Sequence, residues 1–180
     1  TNVAVDVEYL DIANTSTFME CMTTNYLERI NWQISDVDDT NSVYVRYRDV
    51  AQNSYTTSAW VILDRIAPTG TYISINGGTP ETTNPVVTLT LYATDPYLST
   101  MIVGNDIDFT GSTWTDYTNN LEWTLSGDYG DVNTVYAKFH DQVGWESGVV
   151  SNSILLVPEP DFAVLLLVVT WFLNVKRRFK

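Results

Sequence analysis

Chemistry in a protein needs groups that converge, and this chain of 180 residues offers few of the usual ones. It has a single histidine, His140, and a single cysteine, Cys21. They lie far apart in sequence, and neither has a second group of its kind to complete a nucleophilic pair or a metal tetrad. No Gly-x-Ser-x-Gly elbow, phosphate loop or Cys-x-x-Cys pair is present. His140 shares a strand face with Lys138 and reads as a solvent-facing polar residue. Cys21 can form no disulfide within the chain and reads as a small buried hydrophobe. The 22 acidic residues leave paired-carboxylate catalysis formally open, but nothing in their spacing selects a pair. The chain is therefore read as a non-enzyme.

Oxygen-rich loops point to calcium as the better chemical candidate. Asp36-Val37-Asp38-Asp39-Thr40-Asn41 and Asn105-Asp106-Ile107-Asp108 concentrate the hard ligands that such a cation requires. The first lacks the Gly and Glu of an EF-hand loop. Asp and Asn also shape turns by local hydrogen bonds without any metal, so both readings stand and no cofactor is assigned. Aromatic side chains raise sugar binding. Trp32 and Trp123 fall at core-facing strand positions, whereas Trp60, Trp114 and Trp145 are freer, and a lone exposed ring is ordinary.

The most informative stretch is the end of the chain. Pro158, Glu159 and Pro160 precede an apolar run from Phe162 to Val175 that includes Leu165, Leu166, Leu167, Trp171 and Phe172. Lys176, Arg177, Arg178 and Lys180 follow. As a helix the run would reach roughly 21 Å against a hydrocarbon core of about 30 Å, short for a permanent span. The basic cluster can snorkel and holds its end in the cytoplasm, so the rest of the chain faces outward. The order Pro-Glu-Pro, short apolar helix, basic terminus resembles the PEP-CTERM sorting signal of Gram-negative bacteria. That resemblance implies recognition by exosortase, cleavage near the Pro-Glu-Pro, and delivery from the inner membrane to the cell surface or extracellular matrix.

Composition agrees with export. Residues 1–161 hold all 22 acidic side chains and only five basic ones, Arg29, Arg46, Arg48, Arg65 and Lys138. Such a surface repels nucleic acid and suits a soluble extracellular region.

The elements beneath these residues come in two copies. Asn41-Ser-Val-Tyr-Val-Arg-Tyr-Arg-Asp49 recurs as Asn133-Thr-Val-Tyr-Ala-Lys-Phe-His-Asp141. Tyr26, Ile30, Trp32 and Ile34 match Tyr117, Leu121, Trp123 and Leu125. Thr1-Asn2 and Val5-x-Val7-x-Tyr9 match Thr83-Asn84 and Val87-x-Leu89-x-Leu91. Period-2 alternation marks strands at Val87–Leu91, Ile30–Ile34, Leu121–Leu125, Val43–Tyr47 and Val135–Phe139. Gly, Asn, Asp and Pro clusters separate them. On this alignment the first copy lacks a counterpart of Pro68 to Glu81, which predicts more chain ahead of Thr1.

The fold class expected is all-β: two tandem immunoglobulin-like sandwich modules followed by one C-terminal transmembrane helix. The modules span 1–64, incomplete at its start, and 70–156. A linker at 65–69 joins them and the tail covers 157–180. The modules resemble the tandem immunoglobulin-like repeats of large bacterial surface proteins, on Ile73-Ser-Ile-Asn-Gly-Gly78, on Val87–Leu91 with Ala93-Thr94-Asp95, and on Val43-Tyr-Val with Asp49. That family has an Asp-x-x-Gly-Asn turn after the strand. Here the first copy has Gln52 for Gly and the second has Trp145 for Asn. The resemblance implies a stalk or adhesin whose partners are exosortase, the membrane, and extracellular polysaccharide or other surface proteins. The alternatives are a carbohydrate-binding accessory region of a larger secreted enzyme, or a periplasmic protein that stays anchored.

Overall fold

The computed structural model describes residues 6–159. Its chain divides into two compact units, one ending at Ile66 and the other starting at Ala67. The described part is all-β. Pro160, the predicted membrane helix and the basic cluster lie outside the described residues. Among the described residues no helix is long and apolar enough to cross a membrane.

In the first unit β1 (Tyr9–Ala13), β2 (Met22–Asn25), β3 (Asp39–Arg48) and β4 (Ser54–Leu63) form one antiparallel sheet in the order β2-β1-β3-β4. Its centre is the pairing of Leu10 with Tyr47 and Ile12 with Val45, which puts these four side chains on one face.

The second unit contains β5 (Thr69–Ile75), β6 (Glu81–Thr82), β7 (Val86–Thr94), β8 (Leu98–Gly104), β9 (Thr115–Asp116), β10 (Asn120–Thr124), β11 (Val132–Asp141) and β12 (Val150–Leu156). A three-stranded sheet, β10-β7-β5, faces a five-stranded one, β6-β12-β11-β8-β9, in a β-sandwich-like arrangement. Among the described strands only β6 and β12 run parallel. The alternation of Val87, Leu89 and Leu91 meets that of Val135, Ala137 and Phe139, and all six are buried in one core. Burying each large apolar side chain contributes about 1.5–3 kcal/mol.

The repeat is visible in matching hydrogen bonds. Trp32 Nε1 donates to Asn14 Oδ1 at 2.7 Å, and Trp123 Nε1 to Asn105 Oδ1 at 2.8 Å. Tyr26 N donates to Glu8 O at 2.8 Å, and Tyr117 N to Ser99 O at 3.0 Å. Phe18 and Phe109 both take φ 55°. These pairs make β1 the counterpart of β8, which corrects the alignment of Val5, Val7 and Tyr9 with β7. Period-2 alternation is common to any half-buried strand, so it could not choose between the two; pairing with β3 does.

Among the described residues of the first unit no strand corresponds to β5 or β7, and the residues matching β10, Ile30 to Ile34, form no strand. In the second unit those positions pair with β7 from Asn120–Thr90 to Thr124–Val86.

A second difference lies in the hairpins. β3 and β4 pair without interruption from Arg48–Ser54 to Asp39–Leu63. In the second unit the register moves by one residue between the His140–Glu146 bridge and the Ala137–Val150 pair. Ser147, buried at the bulge, holds it there: its N–H donates to Phe139 O at 2.9 Å and its hydroxyl accepts from Phe139 N at 3.0 Å. Tyr55 stands in Ser147's place in the first unit, and no bulge forms. A one-residue slip reverses which face each side chain occupies. Ile154 is accordingly 1% exposed in the core. Its sequence counterpart Ile62 pairs with Thr40 on the outer face, and Trp60 beside it is 69% exposed.

Candidate functional site

The expected Pro-Glu-Pro motif starts just after β12 stops. Val157 N still donates to Thr82 O at 2.8 Å, and Pro158 and Glu159 after it are exposed and outside any strand. Proline has no N–H to continue a ladder.

In both oxygen-rich loops carboxylate oxygens are engaged by neighbouring donors. Arg65 takes two of the three acids of the first: its Nη1 lies 2.8 Å from Asp36 and its Nε 2.7 Å from Asp38. Asp39 accepts from Thr40 N, and the buried Asn41 amide donates to Val37 O and Asp39 O. In the second loop one oxygen of Asp106 accepts from Asp108 N, Thr110 N and the Thr110 hydroxyl. Asn105 instead orients Trp123. These are turn-shaping bonds.

The acids that do come together were not visible as neighbours in sequence. At the end of β11, Asp141 is 2% exposed. Its Oδ1 accepts from the backbone N–H groups of Val143, Gly144 and Trp145 at 2.8 to 3.0 Å. Its Oδ2 is buried and has no hydrogen-bond partner. Within the same unit Asp95 brings a carboxylate oxygen within 4.8 Å of one from Asp141. Two carboxylates this close repel, and an unpaired buried oxygen costs about 1–3 kcal/mol. A hard divalent cation relieves both.

The equivalent turn in the first unit is closed without one. Asp49 Oδ1 accepts from Asn53 N at 2.8 Å and Oδ2 from Asn53 Nδ2 at 2.7 Å. The Asn53 side chain is the main cause holding the Asp49 carboxyl below its ordinary pKa. Trp145 occupies the position of Asn53 and has no acceptor-seeking amide to offer Asp141 Oδ2. The Gly144 position, at φ 109°, is taken in the first unit by Gln52 at φ 68°.

A different acid organises the outer face of the first sheet. Asp11 is 1% exposed beneath Arg46 and Arg48, each 2.8 Å away, and accepts the Thr23 hydroxyl at 2.6 Å. Burial pushes its carboxyl up, but hydrogen bonds from Arg48, Thr23 and Arg46 outweigh that and hold the pKa at about 2. Arg46 also lies 4.6 Å over the Phe18 ring and Arg48 5.7 Å over Tyr9. The second unit has Ile102 in this place. A lone acid in an apolar strand carried no signal in sequence.

On the other face of that sheet the core is open. Val43, Val45 and Tyr47 are half-buried, while their counterparts Val135, Ala137 and Phe139 are 0% exposed. A cleft of about 730 Å³ lies here, its lining including Val7, Tyr26, Tyr47, Asn53, Tyr55 and Thr57. In the second unit the Tyr117 ring meets Phe139 edge-on at 5.9 Å, and its hydroxyl donates to Leu91 O of β7 at 3.3 Å. Tyr26 and Tyr47 are the counterparts of that pair. The cleft therefore sits where β7 would run.

The remaining expected positions are ordinary. His140 is half-buried, with Nδ1 3.4 Å from the Thr100 hydroxyl and its ring 5.2 Å from Trp114. Lys138 pairs with Glu146. Cys21 is half-exposed rather than buried, because its loop lies outside the core. Trp32 and Trp123 are half-buried with their N–H groups bonded to asparagine, and Trp123 packs against the core of the second unit. No protein-family model matches the chain, and no curated protein matches it.

Proposed function

We propose that the chain is a non-catalytic, exported surface or matrix protein, in which tandem immunoglobulin-like modules form a stalk and the C-terminal tail is a sorting signal. One observation carries the reading. The last described strand ends at Leu156, and Pro158 and Glu159 follow two residues later, exposed and outside any strand. A transpeptidase needs such an extended, accessible segment. Repetition of the same hydrogen-bonded brackets in both units supports a stalk of like modules. In this reading Asp95 and Asp141 bind calcium, which is abundant outside cells, and stiffen the second module.

The test is to replace Pro158, Glu159 and Pro160 by alanine in a host that carries exosortase. The unaltered protein should reach the surface with an intact mass lacking Lys176–Lys180, while the variant stays uncleaved in the inner membrane. Full-length unaltered protein recovered from the surface would refute the sorting reading and favour a permanent anchor.

A further inference from the structure

The two sheets of the second unit are joined at one end by a short crossover. β7 ends at Thr94 in the three-stranded sheet, and β8 starts at Leu98 in the five-stranded one. Asp95, Pro96 and Tyr97 lie between them. Asp95 shapes this corner, its Oδ1 accepting from Tyr97 N at 2.6 Å. Beside it β11, a strand of the five-stranded sheet, ends at Asp141. Asp141 pairs with Leu98, and Gln142 N donates to Tyr97 O at 3.0 Å. One carboxylate therefore stands where the chain leaves the first of these sheets, and the other at the end of a strand in the second.

Antibody domains tie their two sheets with a disulfide. This chain has one cysteine, Cys21, and it belongs to the first unit. At the corner the second unit has instead two carboxylates with oxygens within 4.8 Å of each other. Asp141 is held in place, because three backbone N–H groups bond its Oδ1, and its Oδ2 is buried without a hydrogen-bond partner. A carboxylate in that state favours a cation that a second carboxylate can share. The donors are oxygens alone. The neighbouring His140 turns its Nδ1 to the Thr100 hydroxyl. Such a set selects a hard ion over zinc. Magnesium demands a near-ideal octahedron and gives up its water reluctantly, whereas calcium accepts oxygens whose positions the chain has already fixed.

We propose that calcium shared by Asp95 and Asp141 braces the two sheets of the second unit at this corner, in the role a disulfide has elsewhere, so that extracellular calcium regulates how firmly this end of the sandwich stays closed. The inference rests on the calcium assignment made above and adds what the ion fastens. The tail has no part in it, so the sorting reading stands or falls separately.

Residue-resolved hydrogen exchange on the full chain tests the brace, with calcium absent or at ten times the dissociation constant measured by calorimetry. Exchange at the Tyr97 and Gln142 amides, one on each side of the corner, should slow about tenfold, together with Val143, Gly144 and Trp145 in the turn. Asp95→Asn keeps an oxygen to accept from Tyr97 N, so the corner stays folded. It should weaken calcium binding at least tenfold and remove the slowing at Tyr97 and Gln142. Asp49→Asn, in the matching turn of the first unit, should change neither. Magnesium at the same concentration should leave all five amides as they were. Slowing confined to Val143, Gly144 and Trp145, or slowing that survives Asp95→Asn, would overturn the brace while leaving calcium binding in place. No binding heat and no slowing at any of these amides would overturn the calcium assignment with it. Equal slowing by magnesium would overturn the choice of ion.

Discussion

The two units share a strand pattern, a Trp–Asn hydrogen bond and an aspartate turn, yet among the described residues only the second encloses a core. The second has two sheets around Phe139, Leu89 and Val135. The described residues of the first form one sheet, with Tyr47, Val43 and Val45 half-buried. The comparison separates two things that usually arrive together. Local brackets such as Trp32–Asn14 form wherever the loop and β1 are present. Closure needs β5 and β7, which lie far from β11 and β12 in sequence and must be brought to them.

Truncation at matched positions breaks the comparison most sharply. Phe139→Ala should cost about 3–5 kcal/mol, because it leaves a cavity in a closed core. Tyr47→Ala at the equivalent position should cost about 1 kcal/mol or less, since its side chain already lines an open cleft and is partly exposed. Hydrogen exchange at strand amides reads each unit separately. Equal losses in the two units would mean that the first face is covered after all.

The second test uses the outer face, where the first unit has Asp11 and the second has Ile102. Asp11 has a folded-state pKa of about 2, below the ordinary carboxylate value of 3.8. Its stabilisation is therefore complete above pH 4 and is lost as pH falls through 2. The shift corresponds to about 2–3 kcal/mol. Protection of β1 and β3 should fall over that window, and Asp11→Asn should remove the share due to Asp11, leaving the smaller one of Asp49. No such term exists for β8 and β11 through Ile102. A first unit whose exchange is flat from pH 4 to pH 2 would contradict the buried Asp11–arginine arrangement.

Strand positions in the second unit were legible because each side chain reports the face it occupies, as Val87, Leu89 and Leu91 do. Register was not. Val5-x-Val7-x-Tyr9 alternates like β7, but the hydrogen bonds put Tyr9–Ala13 in the place of β8. The bulge at Ser147 escaped notice because it depends on one hydroxyl facing Phe139 N, and sequence alignment runs through it without a gap. The acidic loops were conspicuous because their residues are contiguous, and contiguity is what lets Asp106 satisfy itself locally. Asp95 and Asp141 meet only through the fold.

That pair supports the finest test, on the two aspartate turns. Asp49 has both oxygens bonded by Asn53, whereas Asp141 has one oxygen held by three backbone N–H groups and the other left buried beside Asp95. Calcium should therefore stabilise the second unit and leave the first unchanged. Ligand present at about ten times its dissociation constant adds about 1.4 kcal/mol to the state that binds it, enough to slow exchange at β11 amides roughly tenfold. Asp141→Asn removes the charge and should abolish that response. Trp145→Asn is the more discriminating variant, because it can give Asp141 Oδ2 the amide partner that Asn53 gives Asp49. It should raise the stability of the calcium-free unit and shrink the calcium increment together, the two changes having one cause. If Trp145→Asn leaves the calcium response intact, the unpartnered oxygen is not what draws the ion, and the difference between the two turns is one of packing alone.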